Sequence, residues 1–333
     1  MSTRILITGG CGFVGHHLVE HVLKQTDWHI VVMDKLNYAS LGLDRLRDIQ
    51  VFDGHRVSML AADFNQPLSP GVKQEIGEVD YIFHLGAETH VDRSIDDPAP
   101  FVTANVIGTM EMLNFARTQK NLKKFFYFST DEVFGPAPNG VAYKEWDRYN
   151  SGNPYAAAKA GGEELSLAYG NTYGLPIVIT HCMNIFGERQ HFEKFIPLVI
   201  RKVLSGESVI IHSDSTKQIP GSRYWIHARN VAAAILFLVD KGQTQEKYNV
   251  VGEKEVNNLD MAKFIAKVLN IELKYDLVDF HSSRPGHDLR YALDGEKMSK
   301  MGWTLPLSFE QSLEKSINWF LNNKKWLGYS ELK

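Results

Sequence analysis

Apolar positions in the first half of the chain follow two alternating periods. Short apolar runs recur at Arg4-Ile5-Leu6-Ile7-Thr8, His29-Ile30-Val31-Val32-Met33, Val57-Ser58-Met59-Leu60, Tyr81-Ile82-Phe83-His84-Leu85, Lys124-Phe125-Phe126-Tyr127-Phe128 and Ile177-Val178-Ile179-Thr180. Most give way to glycine, small or acidic residues, as buried strands do. Between them the spacing turns helical: Phe13 to Leu23 is apolar at 14, 18, 19, 22 and 23, and Phe101 to Ala116 and the Ala-rich stretch after Asn153-Pro154 also read as helices. Strand and helix in alternation predict a doubly wound parallel α/β sheet, with ligands at the carboxyl ends of its strands. From Ile185 onward the alternation loosens into helix-like Phe195 to Leu204, a polar loop from Ser213 to Ser222 and helix-like Val231 to Val239. We expect residues 1–184 to form the sheet domain and 185–333 mainly a smaller α+β domain, with a segment near 222–250 returning to the first.

The turn after the first strand is Gly9-Gly10-Cys11-Gly12-Phe13-Val14-Gly15, which fits both G-x-G-x-x-G and G-x-x-G-x-x-G. Its place between a strand and a helix gives the motif its meaning, because glycine lets backbone approach a pyrophosphate and the helix N-terminus directs N–H groups at it. Asp34 closes the next strand 19 residues beyond Gly15. A carboxylate there accepts from a ribose 2′-hydroxyl and repels a 2′-phosphate, which points to NAD rather than NADP in a Rossmann-type sheet. Asp63, after the third strand, lies where it can reach the adenine, and Gly86-Ala87 permits a close backbone approach to the cofactor.

The densest chemistry follows the fifth strand. Phe128-Ser129-Thr130-Asp131-Glu132-Val133-Phe134-Gly135 and then Tyr155-Ala156-Ala157-Ala158-Lys159 bring a hydroxyl, two carboxyls, a phenol and an ammonium to one strand end. Tyr155 and Lys159 are four apart on a helix and share a face. Adjacent carboxyls resist ionising together, so Asp131 and Glu132 are suited to opposite protonation states.

Bulk properties narrow the setting. At 333 residues, 44% hydrophobic and 23% charged, the chain can bury a full core. A net charge of −3 gives no support for a nucleic-acid or membrane partner, and no apolar run approaches the roughly 20 residues of a membrane span. The two cysteines, Cys11 and Cys182, exclude a disulfide framework and fit a reducing compartment. With no signal-peptide pattern before Arg4, a cytoplasmic location is expected. Of the 13 scattered histidines, His16-His17 read as a helix surface and His84 as a satisfied strand end rather than as ligands.

Taken together, these motifs resemble the extended short-chain dehydrogenase/reductases, and within them the nucleotide-sugar 4,6-dehydratases. The likeness runs almost end to end, through Ala87-Glu88-Thr89-His90-Val91-Asp92-Arg93-Ser94-Ile95, Asn184-Ile185-Phe186-Gly187 to Phe195-Ile196-Pro197, and Arg284-Pro285-Gly286-His287-Asp288. The Asp131-Glu132 pair and the last segment are its narrowest signals. The resemblance implies conversion of a dTDP- or UDP-glucose-type substrate to the 4-keto-6-deoxy sugar. Tyr155 takes the C4 hydroxyl proton as NAD accepts hydride, Thr130 holds that oxygen, Glu132 abstracts the C5 proton, and protonated Asp131 releases the C6 hydroxyl as water before hydride returns to C6. It further implies cofactor contacts at Gly9, Gly12, Phe13, Val14, Gly15, Asp34, Lys35, Asn37, Asp63, Phe64, Leu85, Ala87, Tyr155 and Lys159. Substrate contacts are implied at Thr89, Asn184, Arg223, Asn258, Arg284, His287 and Tyr291, and a homodimer through two helices from each chain. A 4-epimerase or decarboxylase of the same fold, and a non-catalytic binder of NAD or a nucleotide sugar, stand as alternatives. The chain departs from the family pattern at Phe134 and Phe186, where tyrosine is frequent, at Ile185, at His181, which replaces arginine, and at Arg229-Asn230, which replaces an acidic pair. The loop from His212 to Arg223 is also longer than usual.

Overall fold

The computed structural model describes residues 2–279 and 289–329. Its main sheet has seven strands: β1 (Arg4–Thr8), β2 (His29–Asp34), β3 (Val57–Ala61), β4 (Tyr81–His84), β5 (Lys124–Thr130), β6 (Ile177–Cys182) and β10 (Glu246–Val250). They lie in the order β10-β6-β5-β4-β1-β2-β3, all neighbours parallel. The chain winds outward from β1 through β2 to β3, then returns to the other side of β1 with β4 and winds the opposite way. This reversal between β1 and β4 opens the crevice in which such sheets bind ligands.

The strands read as unbroken apolar runs because both faces of the sheet are covered. Ile5, Ile7, Val32, Phe83 and Phe126 pack on one face under the helices Phe13–Gln25 and Ala228–Lys241, while Leu6, Val31, Met33, Phe125 and Tyr127 pack on the other with the helix Gly108–Ala116. Strand β10 takes the open edge beside β6. The helix expected over Phe101 to Ala116 is split: Ala99–Val102 and Gly108–Ala116 are α-helical, with a π turn over Thr103–Ile107 between them. In that turn Asn105 spans Glu88, accepting its N–H and donating to its carbonyl, both at 3.0 Å.

Beyond Cys182 lie β7 (Asn184–Phe186), β9 (Ser222–His227) and β11 (Glu255–Asn257) in one small sheet, and β8 (Val209–Ser213) paired in parallel with β12 (Tyr275–Asp279). The helices Phe195–Leu204, Asn258–Leu269 and Phe309–Asn322 close a second core around Phe186, Trp225, Met261 and Phe320. One expectation is corrected: His16 and His17 are fully buried rather than surface residues. Their helix is covered on that side by the segment after β7, where His17 Nε2 lies 3.1 Å from the Glu188 carbonyl and Arg229 bridges Glu188 and Glu20. His84 meets Thr8 and Thr109 through its two ring nitrogens, at 2.8 and 3.2 Å.

Candidate active site

The edge of the crevice is built where β5 ends. Thr130 pairs with Cys182 at the last register position, and the chain then turns through a short 3-10 segment, Asp131–Phe134. Gly135 ends that turn at φ +75, where a β-carbon would sit 2.2 Å from the Asn150 carbonyl oxygen, so the turn depends on glycine. Thr130 organises the site: its hydroxyl donates to Asp131 Oδ1 at 3.0 Å and accepts the Glu132 N–H at 3.4 Å.

Tyr155 and Lys159 come from the helix Pro154–Tyr173. Proline at its first position suits a helix start, and Asn153 caps it by accepting the Ala156 N–H at 2.9 Å. The Tyr155 N–H, one of the first-turn donors a helix cannot satisfy itself, is taken by Ser94 Oγ at 3.2 Å. Gly162 brings the helix down onto the sheet, since a β-carbon there would lie 2.2 Å from the Asn105 carbonyl oxygen. Tyr127 of β5 donates to the Lys159 carbonyl at 2.9 Å and lays its ring 4.3 Å from the Lys159 ammonium.

A cavity of about 370 Å³ joins these groups to the glycine turn; Thr130, Asp131, Glu132, Tyr155 and Lys159 all line it. Burial governs their ionisation. Asp131 is pushed up to about 7, first by desolvation and then by the charge of Glu132. Its Oδ2 is buried with no hydrogen-bond partner among the described residues, as suits a carboxyl that carries its own proton. Desolvation pushes Lys159 down to about 7, and burial followed by the Glu132 charge pushes the Tyr155 phenol well up. Tyr155 therefore stays protonated until positive charge reaches it, and Lys159 stands one turn away.

The other end of the cavity has the donor set of a dinucleotide site. Gly9, at φ +68, lies against Gly86, where a β-carbon would come within 2.8 Å of its Cα, and a β-carbon on Gly15 would lie 2.2 Å from the Gly9 oxygen. No side chain among the described residues caps the helix Phe13–Gln25, and Gly12, Phe13, Val14 and Gly15 line the cavity. Those N–H groups and the dipole behind them suit a pyrophosphate. Asp34, nearly buried, accepts from the Cys11 and Leu36 N–H groups at 3.0 and 2.8 Å and lines the cavity beside the glycine turn. Lys35 and Asn37 reach Glu88 at 2.7 and 3.2 Å, and with Phe64, Leu85, Ala87, Thr89 and Asn184 they line the same cavity.

Other expected contacts stand apart. Asp63 is exposed outside the lining and accepts the Asn65 N–H at 2.9 Å. Arg223, Asn258 and Tyr291 are not among the residues that line the cavity. Arg223 donates to the Ser222 and Leu289 carbonyls and lies 4.6 Å over the Tyr291 ring, and the Asn258 N–H donates to the Gly221 carbonyl at 2.8 Å. The charge of Arg223 nonetheless acts on Asp131 and opposes its upward shift. Arg284 and His287 lie outside the described residues.

The structure also adds lining residues that sequence reasoning missed: Arg45, Gln190, His191, Lys194 and Trp225. Arg45 is wholly buried and donates to the carbonyls of Cys11, Ala39, Ser40 and Arg189, fastening the glycine turn to two other segments. It sits in an ordinary Leu-rich stretch, and no spacing marks it.

A parallel sheet wound in both directions, a glycine turn at its switch point and a Tyr-x-x-x-Lys helix beside the fifth strand define an extended short-chain dehydrogenase/reductase. A family model described as GDP-mannose 4,6 dehydratase matches residues 6–316. A dTDP-glucose 4,6-dehydratase from Escherichia coli is 36% identical, over 97% of this chain and 95% of that protein, and one from Haemophilus influenzae is 34% identical over 96% and 98%. Among solved structures, a dTDP-glucose 4,6-dehydratase from Streptomyces venezuelae with NAD bound superposes with a TM-score of 0.86 at 31% identity, covering 97% of this chain and 98% of the other. A UDP-glucuronic acid 4-epimerase from Bacillus cereus reaches the same TM-score at 24% identity, covering 96% and 100%, and shares the fold. Within the extended short-chain class, the chain belongs to the nucleotide-sugar 4,6-dehydratase family.

Proposed function

We propose that this protein is an NAD-dependent nucleotide-sugar 4,6-dehydratase that converts a dTDP- or UDP-glucose-type substrate to the 4-keto-6-deoxy sugar. The observation that carries this reading is the pairing, in one cavity, of a buried carboxyl, Asp131, one of whose oxygens has no hydrogen-bond partner among the described residues, with a second carboxyl, Glu132, beside Thr130, Tyr155 and Lys159. A 4-epimerase needs the phenol and the ammonium but has no use for two further carboxyls as acid and base.

The glycine turn and the first turn of the helix Phe13–Gln25 hold the cofactor pyrophosphate, and Asp34 holds the adenosine ribose. The chemistry the cofactor supplies when bound is reversible hydride acceptance, from C4 and back to C6, so the conversion loses one water and no electrons. Tyr155 receives the C4 hydroxyl proton, with Thr130 holding the same oxygen and Lys159 supplying the charge that lowers the phenol. Once C4 is a ketone the C5 hydrogen is acidic. Glu132 takes it, and Asp131, kept protonated near neutrality by burial and by Glu132, hands a proton to the departing C6 hydroxyl; a proton is returned to C5 when C6 regains hydrogen, which completes the 4-keto-6-deoxy sugar.

Residues 1–184, with β10, serve the cofactor, and 185–333 mainly the nucleotide sugar. The family resemblance assigns Arg223 and Arg284 to the diphosphate, and Asn258, His287 and Tyr291 to the nucleotide side. Exposed Val102, Ile107 and Tyr173 on the outer faces of their helices support a homodimer of the kind the family builds, and the cytoplasm is the matching compartment. Mass spectrometry after incubation with dTDP-glucose, UDP-glucose and UDP-N-acetylglucosamine tests the reading. A product lighter by one water supports it, and the preferred donor names the nucleotide. A product of unchanged mass and altered configuration replaces it with epimerisation.

A further inference from the structure

We infer that Asn153 is a positioning residue for the elimination step, one side chain that both starts the helix carrying Tyr155 and Lys159 and holds Glu132 in place as the base; this rests on the dehydratase reading above. Asn153 is nearly buried, and both ends of its amide are used. Its Oδ1 accepts the Ala156 N–H at 2.9 Å, which fixes which end of the amide faces the helix. The Nδ2 end then points the other way and donates to Glu132 Oε2 at 3.1 Å. A hydrogen bond to one carboxylate oxygen restricts the side chain's rotamer and fixes where its other oxygen points. One oxygen of Glu132 is thus tethered beside the phenol-bearing helix, while its neighbour Asp131 keeps its proton. Since the same amide caps the helix, the distance from base to phenol is set through a single side chain.

The two bonds can be separated. Asn153→Ser keeps a good capping oxygen but is too short to reach Glu132, and Asn153→Asp keeps the cap while setting a like charge against Glu132. Asn153→Ala removes both. With dTDP-glucose as the probe, or whichever donor the wild type dehydrates, we expect N153S to lower kcat about 10- to 100-fold and N153D to lower it further, with KM and NAD retention unchanged and Tm close to wild type. Because proton abstraction is the step impaired, the isotope effect with C5-deuterated substrate should rise in both. A role confined to capping predicts loss of activity and of Tm together in N153A, with kcat kept in N153S and N153D, and that result overturns the inference. An unchanged isotope effect alongside lowered kcat also overturns it. If the wild type forms no product lighter by one water, the dehydratase reading itself has failed; if it does and the N153S and N153D rates hold, only this inference has.

Discussion

Lys159 and Glu163 stand one turn apart on the same helix, both buried, and their surroundings are opposite. Glu163 is answered on every side: His181 Nε2 lies 3.1 Å from each of its oxygens, Lys247 Nζ lies 3.0 Å from one, and Tyr149 donates to it. Burial alone would raise its carboxyl, but His181 and Lys247 outweigh burial and hold it below the usual range. Lys159 has no ion pair among the described residues, only the face of Tyr127, and burial takes it down to about 7. Asp131 follows Lys159 in this, raised to about 7 with one oxygen unpartnered among the described residues. A fold that must bury charge for structure supplies partners; where charge is to move, it withholds them.

The largest effect that tests this contrast is Tyr155→Phe. Removal of the phenolic oxygen should cut turnover about 10³-fold, within the range of a lost general base, while the amount of NAD that copurifies stays the same. Unchanged turnover would break the mechanism. Asp131→Asn comes next, with an expected loss of about 10²-fold. Because Asp131 must carry its proton, wild-type kcat should fall as pH rises through about 7. Its folded pKa lies above its ordinary value, so the stability it contributes is full below the ordinary value and is lost as pH climbs toward about 7. Thermal melts should accordingly show D131N more stable than wild type at pH 8 and no better at pH 4.

On the structural side of the comparison, Glu163→Gln should leave kcat per folded molecule within about threefold of wild type and still lower stability by about 3–5 kcal/mol, since it strands the buried charge of Lys247 beside His181. Denaturant melts beside active-site titration would separate the two. A large fall in kcat with stability intact would move Glu163 into the chemistry and erase the distinction.

The sheet was legible because each strand is an apolar run closed by a turn or an acid, and both faces are covered. Strands β5 and β6 run two residues past their apolar stretches, to Thr130 and Cys182, because strand pairing rather than side-chain character carries them on. The gathering of Thr130, Asp131, Glu132 and Tyr155 around one cavity was legible for a related reason, since hydroxyl and carboxyls at a strand end followed by a Tyr-x-x-x-Lys helix have few structural uses. Partnership was less visible. Asn153 before Pro154 reads as a helix start, but its bond to Glu132 crosses 21 positions of sequence. The burial of His16 and His17 depends on a segment some 170 residues away, and His181 gives no sign in the sequence that Glu163 and Asn249 will flank it. Arg45 likewise looks like any helix arginine until the Cys11 and Arg189 carbonyls converge on it.

The central claim is that Asp131 acts after oxidation, as the acid that releases water, and one measurement reaches it directly. Purified D131N carrying NAD is mixed with dTDP-glucose, or with the donor the wild type prefers, and the near-ultraviolet absorbance of reduced nicotinamide is followed through a single turnover while the sugar is quenched and weighed. The account predicts that reduced nicotinamide accumulates and that the product lighter by one water forms slowly. Dehydrated product at the wild-type rate, or no reduction of the cofactor at all, would contradict it.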